Sequence, residues 1–100
     1  MIIVEMFDDG VLREANDVFN EIGCHISTTS EKIRLRFAWD YIKPVPSCWL
    51  NEAVGQLLSK YTKGYLQDRL MAENINKCTA ADLRKVCENA VRYFEKKGGI

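Results

Sequence analysis

Ile42-Lys43-Pro44-Val45-Pro46-Ser47-Cys48-Trp49-Leu50-Asn51-Glu52-Ala53-Val54-Gly55 is the stretch in which this chain passes from extended structure into helix. Pro44 and Pro46, its only prolines, each push the preceding residue out of the α region. Neither carries a backbone donor, so neither suits a central ladder or a helix interior. Ser47 offers a hydroxyl at a position suited to an N-cap. Leu50, Ala53, Val54, Leu57, Leu58 and Tyr61 then recur at helical spacing, and Gly64 reads as the stop. A helix N-terminus presents free N–H groups and the positive end of its dipole, which marks this corner as the candidate functional surface.

Upstream, Lys32-Ile33-Arg34-Leu35-Arg36-Phe37-Ala38 alternates cleanly and predicts a strand. Ile33, Leu35 and Phe37 share one face, and the basic residues leave the other only partly covered. Trp39-Asp40-Tyr41-Ile42 carries that strand toward the prolines. Residues 2–7 are nearly all apolar and read as a strand buried on both faces. Asp8-Asp9-Gly10 breaks it. From Val11, the positions Val11, Leu12, Ala15, Val18, Phe19 and Ile22 predict an amphipathic helix, with Gly23 as its left-handed terminator. Within residues 24–31, His25-Ile26-Ser27-Thr28-Thr29 fits a short edge strand and Thr29-Ser30-Glu31 a turn.

Downstream, Gly55 inside a helix costs roughly 1 kcal/mol relative to Ala, which a close backbone approach would explain. Arg69-Leu70-Met71-Ala72-Glu73-Asn74-Ile75 fits a third strand, with helix through residues 65–76 as the rival reading. Thr79-Ala80-Ala81-Asp82 has the form of a capping box. Leu83, Val86, Cys87, Ala90, Val91 and Phe94 follow as a third apolar stripe, closed by Lys96-Lys97-Gly98-Gly99. The order strand, helix, strand, helix, strand, helix predicts a small single α/β domain over residues 1–100, with a mainly parallel sheet packed by about three helices. In such sheets ligands meet the carboxyl ends of the strands, where the Pro44–Ser47 turn falls.

Acidic and basic residues number 14 each, so overall charge does not drive binding to nucleic acid or anionic lipid, and self-association as a homodimer stays open. No apolar run approaches the roughly 20 residues that span a bilayer, and the apolar opening lacks the basic flank of a signal peptide. A cytoplasmic protein is expected. Cys24, Cys48, Cys78 and Cys87 are widely spaced without a C-x-x-C, which predicts reduced, mostly buried thiols. No metal or cofactor is expected.

The run Leu35-Arg36-Phe37-Ala38-Trp39-Asp40-Tyr41-Ile42-Lys43-Pro44-Val45-Pro46-Ser47-Cys48-Trp49-Leu50-Asn51-Glu52-Ala53-Val54-Gly55 resembles the central strand–turn–helix of STAS-like domains. That family has a strand, a small-residue turn, then an aromatic, Leu, Asp or Asn, Glu, Ala and a nearby Gly. Asp68-Arg69-Leu70-Met71-Ala72-Glu73-Asn74-Ile75-Asn76 extends the likeness, which spans residues 32–94. In the anti-sigma factor antagonists of the wider superfamily the turn reads Asp-Ser-Ser-Gly-Leu, and its first Ser is phosphorylated by a partner kinase. By that resemblance Ser47 is the phosphoacceptor candidate and Cys48 takes the second Ser, while Pro46 replaces the Asp and Trp49 the Gly. The resemblance implies a non-catalytic regulatory module that binds a protein partner, a kinase-like ATPase or an anti-sigma-type regulator. The partner surface expected is Ser47, Cys48, Trp49, Asn51 and Glu52.

Other readings compete. Ser47 as a plain N-cap needs no partner. Cys48 or Ser47 as the nucleophile of a small enzyme would need a base, and His25 is the only histidine. Trp39, Tyr41 and Trp49 around the turn suit either a core or an interface. Lys32, Arg34 and Arg36 on a sheet face admit RNA binding, without the aromatic ribonucleoprotein signature to support it.

Overall fold

A computed structural model of the chain describes residues 2–37 and 45–97, with the side chains of 96 and 97 left aside. The residues from Ala38 to the first proline, including Trp39 and Tyr41, lie outside that description. Strands β1 (Ile2–Glu5), β4 (Ile33–Arg36) and β5 (Leu70–Glu73) form a parallel sheet in the order β1-β4-β5. The register aligns Ile2 with Ile33 and Ile33 with Leu70, and likewise Val4 with Leu35 and Leu35 with Ala72. Because side chains alternate along a strand, these apolar residues share one face. The opposite face is built from the rows Ile3, Arg34, Met71 and Glu5, Arg36, Glu73. Val4, Ile33 and Leu35 are buried, whereas Ile3 is 40% and Met71 45% exposed, so the helices cover one face only. The strand at residues 2–7 is therefore buried on one face rather than both, because β1 is an edge strand of a two-layer domain.

Residues 7–12 form a hairpin, not the start of a helix. β2 (Phe7–Asp8) and β3 (Val11–Leu12) pair antiparallel across Asp9 and Gly10, whose φ values are +50° and +77°. Two consecutive positive φ values are what a type I′ hairpin turn requires, and Asp-Gly is among the dipeptides that adopt it readily. Helix α1 (Ala15–Thr28) starts four residues later than Val11 and runs through Gly23 into the segment read as an edge strand. Val18, Ile22 and Ile26, spaced by four, are buried along it, and this packing outweighs the glycine. The turn expected after Thr28 is present: Glu31 N–H donates to Thr29 Oγ1 at 3.1 Å.

The single helix expected from Ser47 to Gly64 is three shorter pieces. α2 (Ser47–Ala53) gives way to a 3₁₀ turn (Gly55–Ser59), and α3 (Lys63–Arg69) begins at the position expected to be the end. A Cβ on Gly55 would stand 2.7 Å from Asn51 Oδ1 and 3.2 Å from Val86 Cγ1, the close approach that its sequence context predicts. Both readings of residues 65–76 hold in part, since α3 runs directly into β5. Asn74, with φ +58°, ends that strand. α4 (Lys77–Lys97) begins earlier than Thr79, and Asn76 caps it by accepting from Thr79 N–H at 2.7 Å. Among the described residues there are four α-helices where about three were expected. Among the described residues, no helix is long and apolar enough to cross a membrane.

Candidate functional site

The start of α2 is braced from two sides. The indole Nε1 of half-buried Trp49 donates to the Arg13 carbonyl at 2.7 Å, and the buried Val45 N–H donates to Thr79 Oγ1 at 3.2 Å. Arg13 follows the strands β1 to β3, and Thr79 lies in the first turn of α4, just beyond β5. Both anchors therefore belong to the carboxyl end of the sheet, where an open α/β domain presents its crevice.

Above these anchors Ser47, Cys48, Asn51 and Glu52 are all exposed. Residues four apart on a helix are neighbours, so Ser47 sits beside Asn51 and Cys48 beside Glu52 in a two-by-two patch. Trp49 alone of the five expected partner-binding residues turns inward. Ser47 is not the cap: Pro46 holds the N-cap position with φ −57° and ψ 139°, its carbonyl accepts from Leu50 N–H, and no side chain caps the helix. A residue inside the first turn has a hydroxyl free of capping duty.

Among the described residues no hydrogen bond or ion pair joins Cys48 to His25. Trp49 is tied to Arg13 just before α1 begins, whereas His25 lies ten residues along that helix from Ala15, about 15 Å at 1.5 Å per residue. His25 stands instead 3.8 Å from Glu21. Among the described residues no three His, Cys, Asp or Glu side chains come together as a metal set. Cys24, Cys48 and Cys78 are exposed rather than buried, because they fall off the apolar stripes of their helices; Cys87 is half-buried. Burial pushes the Cys87 thiol above its ordinary pKa, with Lys63 opposing and Glu88 adding to the effect.

The basic face of β4 is already occupied by acids. Arg34 Nη1 meets Glu73 Oε1 at 2.9 Å, and Arg36 reaches Glu73 Oε2 at 2.7 Å and Glu5 Oε1 at 3.0 Å. The hydrogen bond from Arg36 chiefly holds the Glu73 carboxyl below its ordinary pKa, with Arg34 adding to it and partial desolvation opposing. These pairings compete with any phosphate for the arginines.

Sequence reasoning missed an apolar groove of about 380 Å³ between α3, β5 and α4, walled by Leu66, Leu70, Ala72, Leu83 and Cys87. Its walls come from elements far apart in the chain, and its one sequence signal is the apolar residue at every second position of β5. No protein-family model, curated protein or solved structure matches this chain.

Proposed function

We propose that the chain is a non-catalytic regulatory module of STAS-like kind, working in the cytoplasm and binding a protein partner through residues 46–52. The observation that carries this reading is the exposed patch Ser47, Cys48, Asn51 and Glu52 at the carboxyl end of the sheet, held from beneath by the Trp49 and Val45 hydrogen bonds. A fixed, solvent-facing helix turn is a surface that a partner can read without reorganising the domain.

Ser47 is the proposed switch. Its hydroxyl has no capping role, so phosphorylation would cost α2 no side-chain cap while adding roughly −1.5 to −2 charge beside Asn51. The partner proposed is a kinase-like ATPase or an anti-sigma-type regulator, since that class both modifies and reads such a turn. Phosphosite mapping on protein from its native cells, with photo-crosslinking through position 52, tests the reading. Phosphate on Ser47, and a crosslinked partner whose yield changes in Ser47→Asp and Ser47→Ala, are expected. A chain unmodified at Ser47, with crosslinking equal in both variants, rejects the switch. No crosslinked partner at all rejects the docking surface.

A further inference from the structure

The two edges of the sheet are not alike. In the parallel register, the Ile2 N–H donates to Lys32 O and the Met6 N–H to Arg36 O, which turns the backbone of Ile3 and Glu5 outward on β1. That edge is blunted: the Arg13 guanidinium donates to the Glu5 carbonyl at 2.7 Å, and the hairpin of β2 and β3 follows directly. A charged side chain laid over an edge carbonyl is a common defence against strand addition.

Among the described residues the β5 edge has no such defence. Phe37 N–H donates to Glu73 O at 2.9 Å, so the register points Met71 and Glu73 toward β4 and the backbone of Leu70 and Ala72 away from it. The Leu70 N–H is taken by Leu66 O at the end of α3, which leaves the Leu70 carbonyl and both groups of Ala72 facing out. Among the described residues β5 pairs with β4 alone. Met71, 45% exposed, stands on the open face beside this edge, and Ala72 is exposed on the inner face at the mouth of the apolar groove.

We propose that two copies of the chain associate through β5, antiparallel and two-fold symmetric, to make one six-stranded sheet. With Met71 opposite its own counterpart, Leu70 of one copy faces Ala72 of the other, and the Ala72 N–H of each donates to the Leu70 carbonyl of its partner. Apolar residues then meet apolar residues on both faces. α3 bounds the paired segment on one side and Asn74, in the left-handed region, on the other. The groove rim carries Lys63 and Arg84 against Glu88, both signs, as a surface that must complement itself requires. Stable interfaces bury about 1,200–2,000 Å². Four residues of strand cannot reach that alone, so the groove walls of both copies must join the contact.

Sedimentation velocity of the full chain across the micromolar range tests this. A concentration-dependent dimer is expected, weakened by about tenfold or more in Met71→Asp, which sets like charges opposite, and in Ala72→Pro, which removes the outward donor. Ile3→Asp, an equally exposed change near the blunted edge, is expected to leave it intact. Met71→Cys, which perturbs the fold least, is expected to give an intermolecular disulfide joining position 71 of both copies under mild oxidation. A wild type that stays monomeric throughout, a dimer that survives both β5 variants, or oxidation that links copies only through the native cysteines overturns the proposal.

Discussion

Trp49 and Arg13 are joined by an indole N–H to carbonyl hydrogen bond of 2.7 Å, across thirty-six residues of sequence. It ties the first turn of α2 to the segment that leads from the hairpin into α1. Trp49→Phe keeps the ring in place and removes only the donor. The expected loss is about 1 kcal/mol in urea unfolding, since a half-buried carbonyl regains part of its hydration. Amide exchange at Ser47 and Cys48 is expected to quicken in the same variant, because their brace is gone while the distant core is unchanged.

Thr79 is the second brace and the more demanding one. It is 1% exposed, and its hydroxyl accepts the N–H of Val45, itself 2% exposed. Thr79→Val preserves the shape and strands that donor, so a loss of about 1–3 kcal/mol is expected. Asn76→Ala removes the α4 cap at a half-exposed position and is expected to cost about 1 kcal/mol. Paired urea titrations rank the two; an Asn76 variant weaker than Thr79→Val contradicts the assignment of the bracing role to the threonine.

The parts of this fold that could be read in the chain are those in which one local signal has no competitor. Ile33, Leu35 and Phe37 alternate with basic residues, and the strand is where they place it. Gly55 sits in a helical pattern without helical benefit, and Val86 explains it. The misread parts are conflicts between local signals. Gly23 argued for a stop, yet Ile22 and Ile26 continue the buried stripe and their packing prevails. Asp9-Gly10 suits a hairpin turn but reads in the sequence only as a strand break, because Val11 and Leu12 also fit the next helix by spacing. Ser47 had the chemistry of a cap, and Pro46 before it already had the extended geometry of that position. Of the candidate site, the exposure of Ser47, Asn51 and Glu52 follows from their places off the apolar stripe, whereas Cys48, expected among the buried thiols, is exposed. The braces from Arg13 and Thr79 do not, because a backbone carbonyl and a buried hydroxyl leave no mark on hydropathy.

Gly55 reports the packing of the 3₁₀ turn on α4. An added Cβ lies near the movable end of Asn51 but also near Val86 Cγ1, at 3.2 Å. Gly55→Ala is expected to destabilise by about 1 kcal/mol despite the gain from a less flexible unfolded chain. Combined with Val86→Ala, which opens that space, the double variant is expected to lose less than the two single losses added together. Strict additivity in the cycle places the cost of Gly55→Ala elsewhere.

The arginine–glutamate rows of the open sheet face give stability a particular acid dependence. The folded-state pKa of Glu73 lies below its ordinary 4.5. Its contribution is therefore complete above the unfolded-state value and fades as pH falls through the folded one. Urea midpoints measured from neutral pH downward are expected to separate wild type from Glu73→Gln above pH 4.5 and to converge in stronger acid. Added salt is expected to narrow the gap at neutral pH, because these side chains are screened by water.

The four thiols distinguish a binding corner from a hidden enzyme. Thiolate, not thiol, attacks an alkylating reagent, so reactivity follows exposure and pKa together. Cys87 is half-buried with its pKa raised by burial, and it is expected to label last. Cys24, Cys48 and Cys78 are exposed. Among the described residues His25 pairs with Glu21 on its own helix, and no hydrogen bond or ion pair joins it to Cys48. Iodoacetamide labelling followed site by site by mass spectrometry is expected to show Cys48 reacting no faster than Cys24 or a free cysteine. A Cys48 that labels tenfold faster than its exposed neighbours, with a rate that falls in His25→Ala, reverses the assignment and makes this turn a nucleophile site.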